Sequence, residues 1–327
     1  MSIMLSRVAE RIYWLGRYLE RVESTARLIS VYSNVLLDLP QPAKLLWESL
    51  LAINGDEEEF SERFAHADER TVVRFYLSDR NNPTSVRCSL NFARENARTV
   101  REIVPSNGWE AINDLSLFLN DNVESALPRR GRDDFLNHVI RSCQFIAGTI
   151  DGTMSRDSAY KFLQLGRYLE RADMTSRIVD VGMANVFPWV QWMVGDRASV
   201  EAMEVEDSPY EGILWMSVLR SLSALQMYRR VVPERVEAAE VIEFLLQDND
   251  FPRAIACCLS EVVEALADLP ANDLAVAQAN AALRHVREAD VDTIVSKSTL
   301  YNFIDDIQQE IGGVHAGIQE TWFLPAS

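Results

Sequence analysis

The sequence predicts an all-α protein, an internally duplicated multi-helix bundle whose two pseudo-symmetric halves pack into one body. Three observations carry this. Leu15–Arg27 (LGRYLERVESTAR) returns as Leu165–Arg177 (LGRYLERADMTSR), with nine identical residues in thirteen. Chance at ordinary residue frequencies would give about one. Apolar residues recur at i, i+3, i+4 and i+7, as in Ile12, Leu15, Leu19, Val22, Ala26 and Ile29, which is the period of a helix with one face in a core. The 13 glycines and 11 prolines fall mainly between such segments, where they punctuate helices.

The opening segment reads as one long helix from Ser2 to about Leu36. Gly16, Glu20, Glu23 and Arg27 lie beside its apolar stripe, and Arg17 and Arg21 project from a different face. Glycine inside a helix costs about 1 kcal/mol relative to alanine, so its recurrence as Gly166 suggests that another backbone packs closely there. DLPQP (Asp38–Pro42) should stop this helix. A shorter one is expected from about Ala43, carrying Leu46 and Trp47, with the acidic Asp56–Glu59 marking its exit. Glu69–Leu77 is a further helix. Pro83 suits the first turn of the next, since a helix start can spare its N–H, and that helix should run to about Val104. PSNG breaks it before Trp109–Glu124. LPRRGRD (Leu127–Asp133) breaks the chain again before a helix over Phe135–Met154.

The second half replays this order. Ala159–Ala184 repeats the opening helix 150 residues on, and Leu214-Trp215 answers Leu46-Trp47. Phe75, Leu77, Asp79, Pro83, Val86, Cys88 and Leu90 correspond to Phe244, Leu246, Asp248, Pro252, Ile255, Cys257 and Leu259, an offset of 169. The growing offset implies an insertion, mostly near 187–212. The expected units are therefore 1–156 and 157–327, each needing the other to bury its amphipathic helices.

Composition narrows the function classes. The net charge of −17 disfavours nucleic acid and anionic membrane surfaces, whose phosphates would be repelled. No run approaches eighteen uncharged apolar residues, so no membrane span is expected. MSIMLSRVAER reaches Arg7, Glu10 and Arg11 too early for a signal peptide's apolar core, which predicts a cytoplasmic protein. Cys88, Cys143, Cys257 and Cys258 form no CxxC pair and read as reduced, buried thiols.

SRVAERIYWLGRYLERVESTARL, NPTSVRCSLNFARENARTVRE and FLLQDNDFPRAIACCL together closely resemble the bacterial alpha-E family, over about Met4 to Phe323. One departure is Ser24, where related sequences often carry Asn. The resemblance implies an all-helical protein encoded beside, or fused to, a circularly permuted ATP-grasp protein, often near a transglutaminase-like protease. ATP-grasp enzymes activate carboxylates as acyl phosphates and join them to amines. The implied setting is therefore a system that forms or modifies peptide or amide bonds.

The repeated charges are the leading site candidate: Arg17, Glu20, Arg21, Glu23 and Arg27 in the first copy, and Arg167, Glu170, Arg171, Asp173 and Arg177 in the second. Glu23→Arg27 and Asp173→Arg177 are i, i+4 pairs in the favourable acid-first order. If the helices cross near Gly16 and Gly166, Glu20 and Glu170 would meet guanidinium groups of the partner helix and fix how the halves dock. A polar pocket receiving a ligand's carboxylate or phosphate, or a partner-docking surface, are the other readings. A second candidate is Arg94, Glu95, Asn96 and Arg98, of which only Glu95 keeps its type at the 169 offset, as Glu264. A solvated ion-pair face is the plainer reading of that set. Arg220, Tyr228, Arg229 and Arg253 form a further polar set.

No residue pattern for a metal or other cofactor is present. His66, His138, His285 and His315 each lack the Glu three residues earlier that a di-metal carboxylate bundle uses. There is no phosphate-binding glycine loop and no nucleophile elbow. The seven tryptophans read as core or interface aromatics. The resemblance, together with the missing catalytic motifs, implies a non-catalytic accessory protein of an ATP-grasp-type ligase. The alternatives are an enzyme or ligand-binding protein with its pocket between the Glu-Arg helices, and a structural assembly module.

Overall fold

The computed structural model describes residues 6–38, 47–48, 50–51, 55–194, 211–233, 235–296 and 299–324, with backbone alone at 35–38, 181–194, 211 and 296. Every regular element among them is helical: α1 (Ser6–Asp38), α2 (Glu57–Ser61), α3 (Glu69–Leu77), α4 (Val86–Thr99), α5 (Ser106–Asn122), α6 (Arg132–Thr153), α7 (Ser158–Val194), α8 (Glu211–Ser221), α9 (Leu225–Val231), α10 (Ala238–Gln247), α11 (Ile255–Ala267), α12 (Asp273–Arg287), α13 (Val291–Ser296) and α14 (Leu300–Ile318). A 3₁₀ turn, Val123–Ala126, precedes α6, and a π turn, Gln319–Phe323, follows α14. Helix starts at Glu69 and Val86 are matched at Ala238 and Ile255, the 169-residue offset at which the sequence repeats.

The long helices α1 and α7 form the axis. Helix α1 packs against α7, α4, α6 and α8, while α7 also packs against α11, α14 and α8. One continuous apolar core results, in which Ile12, Leu15, Val22, Ala26 and Ile29 meet Leu165, Leu169, Ala172 and Trp215. Leu19, read with the core stripe, is only half-buried. No helix of the described residues is long and apolar enough to cross a membrane.

Several boundaries differ from expectation, each for a local reason. The acidic Asp56–Glu59 stretch opens α2 rather than marking an exit, since carboxylates in a first turn complement the helix dipole. Helix α4 begins after Ser85, whose Oγ accepts from Cys88 N at 3.1 Å, so Pro83 lies outside it and the cap sets the start. Helix α4 ends at Thr99, and PSNG supplies the start of α5, with Pro105 at its N-cap. Helix α6 starts three residues early, at Arg132, because Gly131 takes φ 88°, a conformation open to glycine. Helix α7 continues to Val194, through the first part of the expected insertion. Residues 195–210 of that insertion, and the expected helix start near Ala43, lie outside the described residues.

Candidate functional site

The Glu-Arg helices α1 and α7 cross at their glycines. A Cβ on Gly16 would overlap the Leu163 carbonyl oxygen, and one on Gly166 would overlap that of Tyr13. Backbone meets backbone on both sides, so neither helix could accept a methyl group without moving away.

That approach brings two knots of charge together. In one, Glu170 accepts from Arg17 Nε at 2.6 Å, from Arg21 Nε at 2.5 Å and from Arg21 Nη2 at 3.0 Å. In the other, Glu20 accepts from Arg171 Nε at 3.1 Å and Nη2 at 2.7 Å, and from Arg253 Nη1 at 2.7 Å. Arg253 reaches on to Glu23 at 3.0 Å. Glu23 also takes Arg27 Nε and Nη2 at 3.0 and 2.6 Å. Glu170 is 1% exposed and Glu20 4%.

Burial pushes the Glu170 carboxyl up, but Arg21 and Arg17 together overcome it and hold the group at about 2. Glu20 is likewise held well below the usual carboxylate range, with Arg171 and Arg253 outweighing burial. Five arginines (17, 21, 27, 171, 253) face three carboxylates (20, 23, 170), leaving two surplus positive charges. Part of that surplus is spread over neutral groups. Arg17 Nη1 donates to Tyr13 Oη at 3.2 Å, and that oxygen lies 2.8 Å from His315 Nδ1. Burial, with Arg17 adding to it, lowers His315 to about 4. The ring is therefore neutral near neutral pH and shares one hydrogen bond with the tyrosine hydroxyl. Arg27 Nη1 donates to Ser223 Oγ at 2.5 Å.

The crossing holds little space. Its cavity, faced by Gly16, Glu20, Glu23, Cys143 and Arg167, measures about 20 Å³, room for one water. Cys143 stays a thiol there, because burial raises it well above its ordinary value.

The remaining candidates make their pairs outside the two knots. Arg167 turns to Asp151 of α6 at 3.3 Å, and Arg177 pairs with Asp173 on its own helix at 3.1 Å. In the second set, Arg94 donates to Asn113 at 2.9 Å, Arg98 pairs with Glu95 at 2.8 Å and Asn96 accepts from Arg11 at 3.3 Å. Glu95 and Asn96 also border an open pocket of about 360 Å³ with Glu10, Trp14, Tyr18 and Phe92. Arg253 leaves the polar set to which the sequence assigned it: Arg220 and Arg229 are exposed, whereas Arg253 is buried in the second knot. One signal could have found it, since at the 169 offset it stands where the first half has Thr84. Arg17 and Arg21, read as facing away from Glu20, are drawn in because α1 is covered on several sides. Among the described residues no three His, Cys, Asp or Glu side chains converge as metal ligands.

No curated protein and no solved structure matches the chain. A family model does, that of Alpha-E, described as a predicted alpha-helical domain with a conserved ER motif. The chain carries Glu-Arg pairs at Glu20-Arg21 and Glu170-Arg171, among the residues that lock the crossing. With residues 4–323 matched, the chain belongs to the Alpha-E family.

Proposed function

We propose that this chain is a non-catalytic helical accessory protein of a cytoplasmic ATP-grasp-type ligase system, and that it helps present or recognise a peptide-like substrate for amide-bond formation or modification. One observation carries the non-catalytic part. The Glu-Arg carboxylates are fully engaged, each accepting from two arginines around a cavity of about 20 Å³. That is a device for docking helices, with no space for a substrate carboxylate. Membership of the Alpha-E family supports the ligase setting through the associations that the resemblance implies, and a transglutaminase-like protein is a further candidate partner.

A second reading, a ligand-binding protein or enzyme, keeps support from the open pocket beside Glu95 and Asn96, where three aromatic rings and two carboxylates share about 360 Å³. Gentle affinity purification from the native host, with co-purifying proteins identified by mass spectrometry, separates the two. Recovery of an ATP-grasp protein in near-equal amount supports the accessory role. A clean chain with no partner removes it and turns attention to small-molecule binding at that pocket.

A further inference from the structure

We propose that a groove remote from the Glu-Arg crossing, between α3 and the Leu127–Arg132 turn, binds a small organic anion through a phosphate or carboxylate group. The groove measures about 600 Å³, within the usual range for small-molecule sites. Arg70, Arg74, Arg129 and Arg132 face it against Glu69 and Glu124, which leaves two positive charges in surplus on a chain whose net charge is −17. The overall field repels anions, so a local reversal of this size marks one place where an anion would be held.

The arginines divide into fixed and free. Arg132, 2% exposed, forms the floor. It donates to Glu69 at 2.7 Å, Ser33 Oγ at 3.1 Å and Leu127 O at 2.7 Å. Arg129 is tied to Ser33 O at 2.6 Å. Glu69 is thereby committed to the floor, and Glu124 leans toward Arg87 at 3.9 Å.

Arg70 and Arg74 stand one turn apart on the same face of α3. Both are exposed, and among the described residues neither makes a salt bridge or a side-chain hydrogen bond. Of the acids at the start of the helix, Glu69 is held by Arg132 and Asp68 is engaged as its N-cap by Thr71 N at 2.9 Å. Like charges at i, i+4 weaken a helix, so this pair works against α3 unless an anion sits between its members. A guanidinium fork matches carboxylate and phosphate oxygens bidentately. Leu127 and Pro128 on the opposite wall offer apolar surface to the body of the ligand.

Calorimetric titration of the full chain with pyrophosphate and, separately, with glutarate tests the site. The expected result is saturable binding of at least one probe, weakened about tenfold or more in Arg70→Gln/Arg74→Gln and unchanged in Arg229→Gln/Arg230→Gln, an exposed pair elsewhere. Melting temperatures should stay level. Preference for pyrophosphate identifies a phosphate ligand, and preference for glutarate a carboxylate. Absence of heat for both probes up to about 10 mM, or equal loss in the two double variants, overturns the proposal.

Discussion

Replacing Glu170 by Gln tests whether the Glu-Arg signature holds the fold together. The substitution keeps shape but removes the charge that Arg17 and Arg21 share at 2.6 and 2.5 Å. The amide oxygen can still accept from one guanidinium, while the amide N–H groups point donors at the other. With that oxygen facing Arg21 Nε, Arg17 is left with Tyr13 Oη at 3.2 Å, a neutral partner, and Arg21 loses its Nη2 bond. Orphaning a buried charge costs about 3–5 kcal/mol, against a total stability of about 5–15 kcal/mol for ordinary domains. Urea unfolding followed by circular dichroism should show a loss of that size with little change in slope. Glu59→Gln is the matched control, because Glu59 pairs with Arg63 one turn away in a half-exposed setting, where such pairs contribute about 0.5 kcal/mol or less. Arg17→Met/Arg21→Met/Glu170→Leu should recover most of the loss, since removing a whole buried network leaves no orphan. A loss below about 1 kcal/mol in Glu170→Gln would refute the docking role. Wild-type stability with loss of system activity would instead make these residues a working site.

Gly166→Ala, judged on helix propensity alone, should stabilise by about 1 kcal/mol; overlap with the Tyr13 carbonyl reverses the sign, to a loss of about 1–3 kcal/mol. Gly148→Ala, where a Cβ meets nothing within 4 Å, should gain about 0.5–1 kcal/mol, and equal effects in the two variants would contradict the crossing geometry. Stability should also fall in two steps on acidification. His315, lowered to about 4, refuses a proton that the unfolded chain accepts below about 6.5, so stability drops between those values, and His315→Asn should flatten this first step. Glu170, held at about 2, contributes stability that is complete above the unfolded value of about 4.3 and is lost as pH falls toward 2; a flat profile through both ranges would count against these environments. Ser24→Ala should hold or raise the unfolding midpoint, because among the described residues the buried Ser24 Oγ has no hydrogen-bond partner and an unmatched hydroxyl costs about 1–3 kcal/mol. A clear fall would mean that this hydroxyl is engaged.

The crossing was legible because two costly glycines recur at the same helical phase, with opposite charges one turn on. Together they read as a close approach locked by ion pairs, with Glu20 and Glu170 as its acids. What escaped was any contact that needs a third element. Arg17 and Arg21 stood among the candidates and meet Glu170 although they lie off the apolar stripe, because a wheel assumes one covered face, whereas α1 is packed by α4, α6, α7 and α8. Arg253 reaches Glu20 across 233 residues, and no local period registers that. The groove residues escaped for the same reason, since Glu69 and Arg132 meet only in space and LPRRGRD by itself reads as a break. Boundaries slipped where one side chain decides them. Ser85 caps α4 through Cys88 N, and that bond outweighs the preference of Pro83 for a first turn.

Apolar packing would bring α1 and α7 together without help from charge, but it is non-directional and would tolerate a slip. The charges do not. Sliding α7 by one turn, about 5.4 Å, would part Glu170 from Arg17 and Arg21 and, in the same motion, part Glu20 from Arg171. Both knots therefore break together, and the crossing has one register in which every buried carboxylate is matched. Arg253 ties α11 into that register through Glu20 and Glu23, and Tyr13 with His315 ties in α14. Registry is the best-attested use of buried ion pairs. It accounts for the same charges standing on both helices although an apolar seam could be equally stable. The apolar triple variant separates the two contributions: wild-type stability with a broadened, less cooperative transition would mean that the pairs supply register, whereas an equally sharp transition would leave them without that role. Charges spent on register are not available for chemistry. On α3 two arginines stand one turn apart, and among the described residues neither makes a salt bridge.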